Sequence, residues 1–203
     1  SEGDNQNHDK CMLSILEIQK AIKELNDSDP IMKEDPLKVR MGLNSGDVIL
    51  CDIGAAKARV DLTMIGDAVN IAARLETACS QYFIDNLVSD SVVKDARGQF
   101  SIRIIDRIKV YGKDTPVAVY EIINEVENSS QEENDLIKHF EKGFEAYTKG
   151  QFNAGLKHFQ KSKPLEINRG YPSTPSDVYI SRCKMLEKSL PDDWDGTWTL
   201  ESK

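Results

Sequence analysis

The segment VDLTMIGDAVNIAARLE, which runs from Val60 to Glu76, predicts a strand, a tight turn and a helix in immediate succession. Gly66 interrupts the extended run, and Asp67 is a residue type that favours the helix N-cap. Beyond Asp67, apolar residues recur at helical spacing and form one stripe: Ala68, Ile71, Ala72, Leu75, Ala78 and Cys79. We therefore expect an amphipathic helix with one buried face.

The polar face of this helix carries Asn70 and Arg74, which lie four residues apart and so share one side. An amide and a guanidinium after a strand and a glycine turn could bind an anion, because arginine offers five donors in a fixed plane that suits phosphate oxygens. The alternative is a solvated helix face, which is the usual environment of charged residues. The two residues alone leave both interpretations open.

Three blocks of sequence follow one another around this helix. The first has the pattern R-x-G-x-x-x-G (Arg40, Gly42, Gly46) and continues to an Ile-Gly pair at 53–54; the second is T-x-I-G-D-x-V-N-x-A-x-R-L-E at 63–76; the third is KVYGKDTPVAVYEI at 109–122. Together they resemble the catalytic domain of class III nucleotidyl cyclases, the family of adenylyl and guanylyl cyclases. The resemblance covers roughly residues 10 to 125. It implies an α+β fold with a ferredoxin-like core, which works as a dimer with the active site at the interface.

The resemblance also implies roles for four side chains in the cyclisation of ATP to cyclic AMP and pyrophosphate. Arg74 would stabilise charge on the α-phosphate and Asn70 would orient the ribose, so both are predicted catalytic residues. Thr63 falls at the base-selecting position and resembles adenylyl members, but a hydroxyl can donate as well as accept, so guanylate cyclase activity is the alternative. Lys113 matches the lysine that holds the terminal phosphates, and the alternative is that Lys113 is a solvated lysine in a turn. Members of the family more often have lysine at the position that Tyr111 occupies in this chain.

Class III cyclases use two Mg²⁺ or Mn²⁺ ions held by two aspartates, and neither aspartate motif occurs before residue 10. Two similar patterns occur elsewhere: Asp52 lies in LCDIG after the Asn-Ser-Gly turn, and Asp67 belongs to the central signature. We therefore expect that the first third of the domain and the metal ligands lie outside this chain. The isolated chain is predicted to convert neither ATP nor GTP. The alternative function is a non-catalytic cyclase-like binding or scaffold module.

Other elements of the cyclase-like part follow from periodicity. A helix is expected at 12–26, and a short helix near 90–96 is expected to be capped by Ser89. Strands are expected at 37–43, 48–53, 100–111 and 117–123, with a hairpin turn at 44–47 joining the first two. Lys57 and Arg59 in the next loop are interpreted as a solvated loop tip rather than as phosphate ligands.

The polar, acidic stretch after residue 125 predicts a division into three parts. These are a partial cyclase catalytic domain at 1–125, an acidic linker at 126–134 and a helical extension at 135–203.

The extension has the spacing of two short helices, and its Gly143, Gly150, Phe152 and Phe159 resemble a tetratricopeptide unit. One such unit cannot bury its own apolar face, so we expect it to pack on the cyclase-like part, on a third helix near 176–188, or on a partner. The tail contains two tryptophans, which either anchor it to this unit or form an exposed partner-binding motif: Trp194 and Trp198.

Composition limits the partners. The 203 residues carry a net charge of −8, which argues against non-specific binding to nucleic acid or acidic membranes. Four widely spaced cysteines predict free thiols in a reducing, cytoplasmic compartment. No apolar run is long enough to span a membrane, so membrane attachment would come only through segments outside this chain. The expected partners are ATP and a second cyclase domain, either an identical copy or a pseudo-dimer partner.

Overall fold

Six strands and seven α-helices form from the residues that the computed structural model describes, which are 2–53, 61–94, 98–108, 116–191 and 194–198. In chain order they are α1 (Glu2–Ser28), α2 (Pro30–Glu34), β1 (Met41–Leu43), β2 (Ile49–Ile53), β3 (Asp61–Ile65), α3 (Asp67–Tyr82), β4 (Asn86–Ser89), α4 (Asp90–Val93), β5 (Phe100–Ile108), β6 (Val117–Glu125), α5 (Gln131–Thr148), α6 (Phe152–Ser162) and α7 (Pro175–Lys188). The predicted mixture of helices and sheet is confirmed.

Four strands form one sheet in the order β1-β4-β6-β5, with β1 and β4 parallel and the other neighbours antiparallel. Strands β2 and β3 form a separate antiparallel hairpin in which Cys51 pairs with Thr63. The prediction of a hairpin turn at 44–47 is therefore wrong. The polar groups of that turn bond to other elements instead: the Asn44 amide donates to the Ala68 carbonyl at 3.1 Å, and the Ser45 N–H donates to the Ser91 hydroxyl at 3.3 Å.

Strand β1 is also shorter than the predicted 37–43. Leu37 bonds to a helix side chain rather than to a strand: its N–H donates to Asn26 Oδ1 and its carbonyl accepts from Asn26 Nδ2, both at 2.9 Å. The segment that follows α2 is thus hydrogen-bonded to the end of α1, and strand pairing with β4 begins only at Met41.

Two apolar cores lie on opposite faces of the four-stranded sheet, as the alternation of its strands requires. Helix α3 and the helices α5–α7 cover one face, where the core includes Leu75, Leu87, Ile105, Val119 and Phe140. Helices α1 and α4 cover the other face, where the core includes Met12, Ile15, Val88, Val92 and Ile122. Helix α3 and the C-terminal helices therefore share one continuous core.

The C-terminal helices pack on the sheet and on one another. Helices α5 and α6 form an antiparallel pair joined at Gly150, whose φ of 72° favours glycine. Gly143 is required where they cross, because a Cβ there would lie 2.8 Å from the Phe159 ring. Helix α7 completes the unit, so the predicted packing on the cyclase-like part and on a third helix is confirmed. The acidic stretch at 126–134 forms a 3-10 turn and, from Gln131, the start of α5.

The tail is anchored to this unit. The ring of Trp194 lies edge-on to Tyr147 at 5.3 Å and to Phe152 at 5.8 Å. Trp198 lies 4.6 Å from the Arg182 guanidinium and pairs with Ile108 at the edge of β5. The prediction that both tryptophans anchor the tail is confirmed. Among the helices in the described ranges, none combines the length and apolarity needed to cross a membrane.

Candidate active-site helix and its surroundings

Helix α3 presents Asn70 and Arg74 at the surface, while Ile71 and Leu75 of the same turns are buried in the core. The helix begins at Asp67, and its N-cap is Gly66, so the prediction of Asp67 as the cap is wrong by one position. A side chain at residue 66 would meet the Asp47 carbonyl at 2.9 Å, and glycine fits this close approach. Asp67 instead lies in the first turn, where its negative charge is favourable to the helix dipole.

The glycines of the first sequence block seat α3 against the sheet. A Cβ on Gly42 of β1 would collide with the Ala72 carbonyl of α3, and a Cβ on Gly46 would lie 3.0 Å from the Ala68 Cβ. Glycines on one side and alanines on the other let the helix backbone approach the strand closely. The two glycines of the R-x-G-x-x-x-G pattern thus allow the close packing that positions the helix carrying Asn70 and Arg74.

Thr63 lies on β3, which leads through Gly66 directly into α3. Its side chain is half-buried, whereas the adjacent Leu62 and Met64 are 66% and 56% exposed. Thr63 therefore lies on the element that immediately precedes the helix with Asn70 and Arg74. Lys113 lies outside the described residues, as do Lys57 and Arg59 in the loop before β3.

The metal ions that the sequence resemblance implies require a cluster of carboxylates. Within the parts of the chain that the structure describes, no three or more His, Cys, Asp or Glu side chains are grouped so that they could hold a metal ion. Asp52 is exposed on the hairpin and Asp67 is exposed at the start of α3.

An exposed apolar surface lies beside α3, on the β2–β3 hairpin. Six large side chains of this segment are between 43% and 68% exposed: Val48, Ile49, Leu50, Leu62, Met64 and Ile65. They occupy both faces of a two-stranded ribbon, which cannot bury both faces by itself. Sequence reasoning missed this surface because strands rich in apolar residues suggest burial. The signal was the presence of apolar residues on both faces of VILCDI and LTMI.

Sequence reasoning also missed a set of buried charges between the sheet and the C-terminal helices. Arg103 and Glu121, neighbours on β5 and β6, are fully buried and 2.6 Å apart. Arg169 pairs with Glu121 and, at 3.2 Å, with Asp85 just before β4. The available signal was the occurrence of charged residues at inward positions of strands that are otherwise apolar.

The family described as "Adenylate and Guanylate cyclase catalytic domain" matches residues 2–124, from α1 to the end of β6. An adenylate cyclase of Anabaena cylindrica is 33% identical over 126 residues, which are 59% of this chain and 25% of that protein. A terminal-differentiation specific adenylate cyclase of Dictyostelium discoideum is 26% identical over 192 residues, which are 91% of this chain and 9% of that protein.

Among solved structures, a bacterial light-regulated adenylyl cyclase matches 58% of this chain and 34% of its own, with 25% identity and a TM-score of 0.48. The chain spans a quarter or less of the length of the two named relatives. The family match covers more than half of the chain and includes α3 and its flanking strands. The chain therefore belongs to the adenylate and guanylate cyclase catalytic domain family.

Proposed function

We propose that this chain is part of the catalytic domain of an adenylate cyclase, which converts ATP to cyclic AMP and pyrophosphate in intracellular signalling. The observation that carries the proposal is the placement of Asn70 and Arg74, both exposed, on a helix whose opposite face is held in the core by Ile71 and Leu75. Sites of this kind need rigid support, because catalysis depends on groups already positioned for the transition state.

In the proposed reaction, the ribose 3′ hydroxyl releases its proton to solvent and its oxygen attacks the α-phosphorus of ATP, while the bond from the α-phosphorus to the bridging oxygen of pyrophosphate breaks. Negative charge increases on the non-bridging α-phosphate oxygens in the transition state. The planar guanidinium of Arg74 would donate hydrogen bonds to those oxygens. It would thereby stabilise the transition state more than the ground state. Asn70, one turn earlier on the same face, would bond to the ribose and align the attacking oxygen.

Thr63 would select the base. Its half-buried hydroxyl can accept from the exocyclic amine of adenine, which supports ATP as the substrate. Lys113 would bind the terminal phosphates. Guanylate cyclase activity is the alternative at Thr63, because the same hydroxyl can also donate.

Divalent cations, Mg²⁺ or Mn²⁺, would be held by carboxylates other than those described, since the described residues offer no such cluster. We therefore expect the chain alone to be inactive and to gain activity when joined to a class III segment that carries both metal-binding aspartates. In structural terms, the four-stranded sheet would be the incomplete counterpart of a ferredoxin-like core, and α5–α6 a tetratricopeptide-like hairpin. The four free cysteines fit a reducing, cytoplasmic compartment.

A second cyclase domain, either an identical copy or a pseudo-dimer partner, would cover the exposed β2–β3 hairpin. The hairpin leads directly into α3, so a domain docked there would lie beside Asn70 and Arg74 and could complete the site. Its apolar residues are concentrated on one small segment, as expected of an interface core.

The test is turnover of ATP and GTP by the chain alone and by the chain joined to the aspartate-bearing segment. Cyclic AMP formation only in the joined protein, with ATP preferred over GTP, supports the proposal. A cyclic GTP preference supports the guanylate alternative. Failure of the joined protein to make either product, although it is folded and dimeric, supports a non-catalytic binding or scaffold module, which the exposed apolar hairpin would also serve.

A further inference from the structure

The C-terminal end of α3 is bonded to the C-terminal helix α7 through the sheet. Tyr82, the last residue of α3, donates its hydroxyl to Asp106 Oδ2 on β5 at 2.5 Å. Arg182 of α7 donates to the same oxygen at 2.6 Å, and its second nitrogen lies 3.5 Å from the Tyr82 hydroxyl. The other oxygen of Asp106 accepts from the Arg107 N–H at 2.7 Å.

This three-residue group, Tyr82–Asp106–Arg182, is sealed from solvent. Tyr82 and Asp106 are 0% exposed and Arg182 is 6% exposed. Burial, reinforced by the charge of Asp106, raises the pKa of Tyr82, so its hydroxyl stays protonated and remains a donor. The Arg182 guanidinium also lies 5.0 Å from the Tyr179 ring and 4.6 Å from the Trp198 ring, which fixes its plane.

Helix α7 is itself fixed to the sheet independently of α3. Tyr179 donates its hydroxyl to the Ile105 carbonyl at 2.6 Å, and the Ser176 N–H and hydroxyl both donate to Glu166, which is paired with Arg103. Because α7 is held at these points, it can fix the position of another element that it contacts. What it contacts, through Arg182, is the end of the helix that carries Asn70 and Arg74.

We propose that Tyr82, Asp106 and Arg182 are positioning residues for the cyclase site: they fix the placement of α3 and thereby of Asn70 and Arg74. This inference rests on the proposed function and extends it, because it makes the C-terminal helical unit a working part of the catalytic domain. Apolar packing alone has little direction, whereas the hydrogen bonds that Tyr82 of α3 and Arg182 of α7 donate to the same buried carboxylate oxygen favour one arrangement of the helix end. An α-helix transmits that placement over the eight residues from Tyr82 back to Arg74, about 12 Å along the axis.

The experiment compares Tyr82→Phe with Tyr120→Phe in the full chain. Each variant removes one hydroxyl that donates to an aspartate and keeps the ring, but only Tyr82 belongs to α3, while Tyr120 of β6 donates to Asp90 and packs with the core on the other face of the sheet. Amide hydrogen exchange needs no nucleotide and reports local opening of each helix. We expect Tyr82→Phe to speed exchange in the last turns of α3 about tenfold or more, as for the loss of a bond to a charged group. Tyr120→Phe should leave α3 exchange unchanged.

The second readout is kinetic and uses the full chain joined to the aspartate-bearing segment. Tyr82→Phe should lower kcat with little change in KM for ATP, because misplacement affects the transition state more than substrate binding. Tyr120→Phe should leave kcat near that of the unmodified protein. Equal α3 exchange in the two variants, or equal kcat, would overturn the positioning role and leave a structural one. If the joined protein has no turnover at all, the proposed function fails, and the exchange comparison still decides whether α7 holds α3.

Discussion

Arg103 and Glu166 form a bidentate ion pair inside the protein, with Nη1–Oε1 and Nη2–Oε2 distances of 3.0 and 2.9 Å. Their side chains are 0% and 2% exposed. Burial by itself lowers the pKa of Arg103, but attraction to Glu121 and Glu166 outweighs it and raises the pKa. Because Arg103 lies on β5 and Glu166 follows α6, this pair fastens the C-terminal helices to the sheet.

We expect Glu166→Gln to destabilise the chain by about 3 kcal/mol or more, because it leaves a buried arginine with one carboxylate fewer. It also weakens the acceptor of the Ser176 N–H and hydroxyl in the first turn of α7. The free energy of unfolding, from urea denaturation followed by circular dichroism, measures the effect. The control is Lys149→Ala, which breaks the exposed pair with Glu145 and should change nothing measurable. Similar losses in both variants would show that burial does not strengthen the Arg103 pair.

Gly42→Ala should destabilise the chain by about 1–3 kcal/mol, because the added methyl group overpacks the contact between β1 and α3. The collision is with the main-chain carbonyl of Ala72, which cannot move aside as a flexible side chain would. Gly98→Ala is the matched control, since none of the described residues places a heavy atom within 4 Å of the new methyl group there. Equal melting temperatures for the two variants would contradict the close approach of β1 and α3.

Stability should depend on the protonation of His158 on α6. Burial and the positive charge of His139, Lys161 and Lys142 lower the pKa of His158 in the folded chain. The unfolded chain therefore takes up the proton first as the pH falls, near the ordinary value of about 6.5. The stability that His158 contributes is present above that pH and is lost as the pH falls towards the lower folded pKa.

The measurement is urea denaturation at several values between pH 5 and 7.5. We expect His158→Gln to flatten the pH dependence relative to the unmodified chain, and Lys161→Gln to flatten it partly. Carboxylates that titrate in the same range cancel in the comparison. Parallel curves for all three proteins would rule out a lowered pKa at His158.

The local part of this structure was predictable from sequence, and the long-range part was not. Helix α3 follows from its apolar stripe and its glycine turn, and the periodicity also indicates that Asn70 and Arg74 share a face. The partner of β1 is not encoded locally: its pairing with β4 spans an intervening hairpin and a helix, so a nearby turn was mistaken for the connection. Contacts such as Tyr82 with Arg182 depend on tertiary packing that no periodicity reports.

The β2–β3 hairpin should mediate association with a second cyclase domain. Leu50 and Met64 are cross-strand neighbours there, 62% and 56% exposed. Met64→Lys should weaken self-association of the joined protein by tenfold or more, since a charge would enter a desolvated interface. Unfolding stability should stay unchanged, because Met64 already meets solvent. Sedimentation velocity over a range of concentrations measures the association, with Ile31→Lys as control on α2, where Ile31 is 73% exposed. Equal association of both variants would exclude the hairpin as the interface.

Replacement of Arg74 tests the catalytic assignment of α3 directly. In the joined protein, Arg74→Ala should lower kcat by about 10²–10³-fold with a smaller effect on KM, because the guanidinium acts on charge that develops in the transition state. Arg74→Lys should rescue poorly, since an ammonium group cannot reproduce the planar fork of donors. Arg74 is exposed, so neither change should alter the free energy of unfolding much, and circular dichroism checks this. Because the site is proposed to form between two domains, an Arg74→Ala protomer mixed with a protomer lacking a metal-binding aspartate should regain part of the activity. Near-normal kcat in Arg74→Ala would mean that the polar face of α3 is simply solvated, and the same result for Asn70→Ala would remove the catalytic role from this helix altogether.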